Sequence, residues 1–125
     1  MEIGGLTIEH RWDREWKDEG TLFNLPPGVQ VKIYREDAEA GEVDMLIKLP
    51  PGYVEPRHTH DSVHSVVVLE GVLIVDGVEQ RPGDYNFGPR NKPHGPFHYP
   101  EGAVLFCSMR GKSLQHIYDS TAGHP

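Results

Sequence analysis

Fourteen glycines and eleven prolines cut this chain of 125 residues into short segments, and that punctuation constrains its fold more than any other feature. Proline inside a helix removes a hydrogen bond and clashes with the preceding turn, so breaks this frequent leave room only for short elements. Between the breaks the residues alternate in steps of two and are rich in Val, Ile, Tyr and Phe, as in VQVKIY at 29–34, VDMLIKL at 43–49 and HSVVVL at 64–69. A period of two is the signature of strands. They are expected at 21–24, 29–34, 43–49, 57–60, 64–69, 72–75, 78–80, 84–87, 94–99 and 103–108, with a weaker one at 114–118. Asp76-Gly77 is a two-residue hairpin signal, Glu70-Gly71 marks a tight reversal, and PPG recurs at 26–28 and 50–52. The pattern predicts an all-β sandwich or barrel, with helical structure limited to a turn around Trp12 and Trp16.

A chain of 125 residues builds one core, so a single domain spanning 1–125 is expected. Its net charge of -7, with Lys and Arg scattered, argues against nucleic acid and anionic membranes as partners. The longest apolar run, VVVL at 66–69, is too short to span a bilayer, and MEIGGLTIEHRW lacks a signal-peptide pattern; the expectation is a soluble cytoplasmic protein. Cys107, the one cysteine, lies in the apolar run AVLFCSM and reads as a small buried thiol. Trp12 and Trp16, four apart, would share one side of a helical turn and pack that segment against the barrel or a second subunit. The tail STAGHP at 120–125 reads as frayed, which leaves His124 without a role.

The stretch RHTHDSVHSVVVLEG at 57–71 carries the chemistry. If it is extended, side chains at even positions share a face, so His58, His60 and His64 point into the interior with Val66 and Val68. Three buried imidazoles without partners are costly, and protonated they would repel one another. A divalent metal that uses all three nitrogens resolves both problems. His94, in GDYNFGPRNKPHGPFH, is a fourth candidate. His98 would share a face with His94, either as a substrate-facing acid or base or as an ordinary half-exposed strand histidine. His10 and His116 have no visible partner and receive no role. Arg57 faces away from His58, and Tyr85, Phe87, Met45 and Ile47 are candidates to line the barrel.

These stretches resemble the two motifs of the cupin superfamily. The first, G-x5-H-x-H-x3-4-E-x6-G, is matched by Gly52, His58, His60, His64 in the glutamate place, and Gly71. The second, G-x5-P-x-G-x2-H-x3-N, is matched by Gly83, Pro89, Asn91 in the glycine place, His94, and His98 in the asparagine place. The likeness covers roughly residues 40–108, flanked by extensions at 1–28 and 111–125. It implies a cupin β-barrel, a double-stranded β-helix or jelly roll, and places the family's metal ligands on His58, His60, His64 and His94. Within the superfamily the chain is similar to the acetylacetone- and dihydroxyacetophenone-cleaving dioxygenases, to the cupin domains of ChrR-type anti-sigma factors and to small four-histidine manganese cupins.

Histidine in place of glutamate leaves a dication with its full charge, which favours anionic, chelating ligands. The resemblance therefore implies Fe(II) or Mn(II), with Ni or Zn as further options, and a dioxygenase that cleaves a carbon–carbon bond beside a carbonyl in an enolate substrate, with O2. A non-oxidative isomerase, cyclase or lyase, and a metal-binding sensor module, are the alternatives. No carboxylate is visible in the metal cluster to serve as a base. A homodimer is expected, with its interface at the Trp12 and Trp16 segment and at LQHIY.

Overall fold

The computed structural model describes residues 1–20 and 22–118. Residue 21 and the tail from 119, including His124, lie outside the described residues. Strands β1 (Glu2–Ile3) and β2 (Leu6–Thr7) make a small ribbon, a 3-10 turn occupies Arg11–Asp13, and β3 (Lys17–Asp18) follows. Next come β4 (Gln30–Asp37), β5 (Glu42–Leu49), β6 (Tyr53–Glu55), β7 (His58–Thr59) and the long β8 (Ser62–Gly71). The chain continues through β9 (Leu73–Val75), β10 (Val78–Gln80), β11 (Tyr85–Gly88) and β12 (Phe97–Tyr99), then β13 (Ala103–Gly111) and β14 (Ile117–Tyr118). Among the described residues there is no α-helix, and no helix long and apolar enough to cross a membrane.

Two sheets carry the fold. One has six strands in the order β11-β8-β13-β5-β4-β3, and the other four, in the order β10-β9-β12-β6. Val31, Val43, Met45, Val66, Val68, Leu105 and Cys107 from the first meet Tyr53, Leu73 and Tyr99 from the second in one apolar core. Each such side chain contributes about 1.5–3 kcal/mol when fully buried. The arrangement is a jelly roll whose two sheets face each other, rather than a cylinder closed by continuous hydrogen bonding. Strands β5, β13 and β8 form its antiparallel centre, with a bulge between Val104 and Leu105 where β13 meets β8.

Several expected boundaries move. The segment at 22–23 is a bend, and Phe23, 1% exposed, plugs the core instead of pairing in a sheet. Strand β8 runs through Glu70-Gly71, and the strand expected at 94–99 begins only at Phe97. Strand β6 was not foreseen, because prolines bracket its three residues.

The tryptophan expectation is corrected as well. The chain is extended by Arg14 (φ -112, ψ 144), so Trp12 and Trp16 do not share a helical face. Both rings instead approach the Lys32 ammonium, at 5.8 and 4.8 Å, over the outer face of the large sheet. Tyr85 and Phe87 are likewise corrected. Both point outward, 58% and 51% exposed, because β11 pairs with β8 in the register that sets Asn86 opposite Val66 and Gly88 opposite His64.

Candidate metal centre

Strand β7, the start of β8, the loop before β12 and the approach to β14 converge at one end of the interior, and each brings a histidine. Residues alternate in and out along β8, which turns Ser62, His64, Val66 and Val68 inward. His58 and His60 keep that parity across the break between strands and are 1% exposed, with His64 at 7%. His94 is tied beside His58 by two backbone hydrogen bonds: His58 N–H donates to His94 O at 2.9 Å, and His94 N–H to His58 O at 3.0 Å. Their rings meet edge to face with centroids 4.4 Å apart. Asn91, in the glycine place of the second motif, adopts φ 58, a left-handed conformation asparagine tolerates, and its N–H donates to His60 O at 3.0 Å.

Three rings are aimed alike. The Nδ1–H of His58 donates to Pro56 O at 2.7 Å, that of His60 to Ser62 O at 2.8 Å and that of His94 to Lys92 O at 3.0 Å. Anchoring one nitrogen fixes the tautomer and leaves Nε2 with a free lone pair, as metal-ligating histidines require. His58 Nε2 and His94 Nε2 are buried without any hydrogen-bond partner.

His64 is turned the other way. Its Nε2–H donates to Asn86 Oδ1 at 2.9 Å, and Asn86 Nδ2 donates to Gln80 Oε1 at 2.7 Å. His64 Nδ1 therefore faces His60 Nε2 at 3.2 Å, lone pair to lone pair. A cation held by both removes that repulsion, and adjacent donors on an ion with bonds of about 2.1 Å lie roughly 3 Å apart. Gly88 makes room for this ring, since a methyl group there would overlap the His64 imidazole.

The electrostatics agree with metal binding. Burial first, and neighbouring imidazoles second, push His64 down to about 4; His58 falls to about 3, and His94 to about 4, chiefly through burial. His60 is lowered by burial too. All four are neutral at pH 7, the form that ligates a metal. Donor atoms of His60, His64 and His94 lie within 4.8 Å of one another, as do those of His58, His60 and His116. The orphaned nitrogens and the all-imidazole donor set fit a divalent transition metal.

His116 and Glu55 were missed by the sequence reading. His116, given no role there, is 8% exposed, with its ring centroid 4.4 Å from that of His58. Strand β14 brings it in by pairing with β7, Ile117 opposite Thr59 and Tyr118 opposite His58, a contact no local pattern announces. Glu55 corrects the statement that the cluster has no carboxylate. Its Oε1 lies 3.3 Å from His58 Nε2, off the line of a hydrogen bond, and 3.4 Å from His116 Nε2. Burial raises the Glu55 carboxyl to about 8, against a hydrogen bond with Tyr99 that lowers it. The alternation of YVE, buried at both ends, was the available signal.

His98 does not share the face of His94. It lies on the exposed side of β12, while Phe97 and the buried Tyr99 turn toward the interior. The chain leaves the extended conformation at Gly95 (φ 99), which resets the parity between His94 and His98. Beside the imidazoles lies an apolar cavity walled by Phe23, Leu25, Ile47, Val66, Leu73 and Leu105. Cys107 also lines it, and burial pushes its thiol well up and out of reactive range.

Comparison with known structures agrees with this architecture. The acetylacetone dioxygenase from Acinetobacter johnsonii superposes with a TM-score of 0.69 at 14% identity, over 94% of this chain and 87% of that one. A chain from the complex of Rhodobacter sphaeroides SigE with the anti-sigma ChrR gives 0.60 at 19% identity, over 81% of this chain and 51% of that one. Such likeness establishes the fold. Among curated proteins, the DNA damage-repair/toleration protein DRT102 of Arabidopsis thaliana is 29% identical over 99 residues, and the chain spans 30% of its length. A family model described as the ChrR cupin-like domain matches residues 14–113, which takes in most of the chain and both histidine motifs. The protein belongs to the ChrR cupin-like domain family.

Proposed function

We propose that this chain is a mononuclear Fe(II)- or Mn(II)-dependent dioxygenase that cleaves a carbon–carbon bond adjacent to a carbonyl, taking a small β-diketone or hydroxyketone as its enolate. The observation that carries this reading is the set of neutral imidazole donors, two with orphaned Nε2 atoms, set against an apolar cavity. His58, His60 and His94 would hold the ion through Nε2, and His64 through Nδ1. When bound, the metal supplies positive charge to an enolate oxygen and, as Fe(II) or Mn(II), redox chemistry toward O2.

The chain's own residues set the conditions. Carbonyls of Pro56, Ser62 and Lys92 and the Asn86 amide keep each ring's proton away from the ion-facing nitrogen. Ile47, Val66, Leu73 and Leu105 exclude water, which strengthens every charge interaction at the site and suits a small substrate with one polar, chelating end. The acetylacetone dioxygenase of the same fold supports that substrate class.

Oxygen uptake by the Fe(II)-loaded protein tests the reading, with acetylacetone and hydroxyacetophenones as substrates and a His60→Ala control. Uptake stoichiometric with cleaved product, absent in the control, is the expected result. Turnover that persists under strict anaerobiosis would replace it with non-oxidative isomerase, cyclase or lyase chemistry. Metal binding without turnover would favour a sensor module, the reading supported by the SigE–ChrR likeness.

A further inference from the structure

His116 stands outside the two motifs that supply the other four histidines, yet the fold holds it firmly in the cluster. Its N–H donates to Phe23 O at 2.7 Å, and the Asn24 side-chain amide donates to its carbonyl at 3.3 Å. The Phe23 ring packs edge-on against the imidazole at 5.8 Å. Its side chain is 9% exposed.

Its two nitrogens have different surroundings. Nε2 faces Glu55 Oε1 at 3.4 Å, while Nδ1 is buried with no hydrogen-bond partner. A carboxylate behind one nitrogen and an orphaned lone pair on the other is the arrangement of a carboxylate–histidine–metal relay. An ordinary core histidine satisfies both nitrogens, because an unpaired buried acceptor keeps its full desolvation penalty. A donor atom of His116 also lies within 4.8 Å of donors on His58 and His60.

We propose that His116 is a fifth metal-binding imidazole, delivered by the C-terminal segment, with Glu55 as the positioning carboxylate behind it. The proposal rests on the metal reading given above and extends it. With His116 added to the four motif histidines, an ion of octahedral preference would keep one open position, so a two-oxygen substrate would need His116 to withdraw.

Mn(II) titration of the metal-free full-length protein, followed by the electron paramagnetic resonance of free Mn(II), tests this in wild type, His116→Gln, Glu55→Gln and His98→Gln. Pulsed resonance on the bound ion counts the imidazole nitrogens. His116→Gln is expected to weaken Mn(II) about 10–100-fold and to remove one imidazole from the count. Glu55→Gln should weaken binding about tenfold with the count retained, and His98→Gln should change neither. Five imidazoles in the wild type support the proposal without any variant, so a His116→Gln protein that fails to fold does not decide the matter. A wild-type count of four, or unchanged affinity in folded His116→Gln, overturns the fifth ligand and leaves the four-histidine centre standing. A wild type that binds no Mn(II) overturns the metal reading itself.

Discussion

Gly88 has an ordinary backbone conformation, so its lack of a side chain serves space alone: the His64 ring occupies the volume that a Cβ would take. Gly88→Ala is therefore expected to displace His64 and weaken metal binding at least tenfold while leaving the fold cooperative, as calorimetric metal titration would reveal; unchanged affinity would mean that His64 is dispensable. His60→Ala should abolish binding, since His60 donates to both overlapping triads, whereas His98→Ala, on the outer side of β12, should leave it untouched. At this scale the sequence carried much of the site. The spacing of His58, His60 and His64 predicts one inward face, and the burial of all three follows from simple strand alternation. His116 and Glu55 were invisible for a physical reason. Each reaches the cluster through long-range pairing, β14 on β7 and β6 on β12, which no local spacing encodes.

Among the elements, the long strands were legible, and most short ones were placed but not bounded: β7, β9, β10, β12 and β14 fall inside expected segments, while β6 was missed. Strands β5, β8 and β13, each of eight or more residues, contain their expected segments and run past them, while β6, β7, β12 and β14 have three residues or fewer. Short strands owe their existence to their partners, so pairing rather than propensity sets their limits. The bend at Leu22 and Phe23 makes the same point, since an apolar residue plugging a core reads like a strand residue in sequence. The inner row of β5 can be tested directly. Met45→Ala, fully buried, should cost about 2–5 kcal/mol in denaturant unfolding, and Lys48→Ala, exposed on the same strand, less than about 0.5 kcal/mol. Equal costs would mean that β5 does not pack as described.

The whole molecule inherits a pH dependence from its histidines. In the metal-free protein His58 is pushed to about 3, His64 and His94 to about 4 and His116 to about 2, chiefly by burial, against 6.5 for the unfolded chain. The unfolded state therefore binds more protons below about pH 6.5, and each excess proton removes about 1.4 kcal/mol per pH unit as the pH falls toward 4. Glu55 acts in the opposite sense. Its folded carboxyl is raised to about 8 from 4.5, so its contribution is complete below pH 4.5 and is lost as the pH rises through 8. Metal-free protein should thus be most stable near pH 6 to 7, with a steep loss on the acid side; flat stability from pH 7 to 5 in urea unfolding would contradict the buried cluster.

The homodimer expected from the sequence is retained as a proposal, supported by exposed Ile3, Leu6 and Trp12 near the N-terminal ribbon. Sedimentation equilibrium should give a dimer that Trp12→Asp dissociates, and a wild-type monomer would reject it.

The central claim is that the buried histidines hold one divalent metal ion. Metal content per chain, measured by mass spectrometry on untagged protein purified without oxygen, tests it most directly beside a His58→Ala, His60→Ala double variant. The account predicts about one equivalent of Fe or Mn in the native protein and none in the variant. A native protein that holds no metal, even after reconstitution, would contradict it.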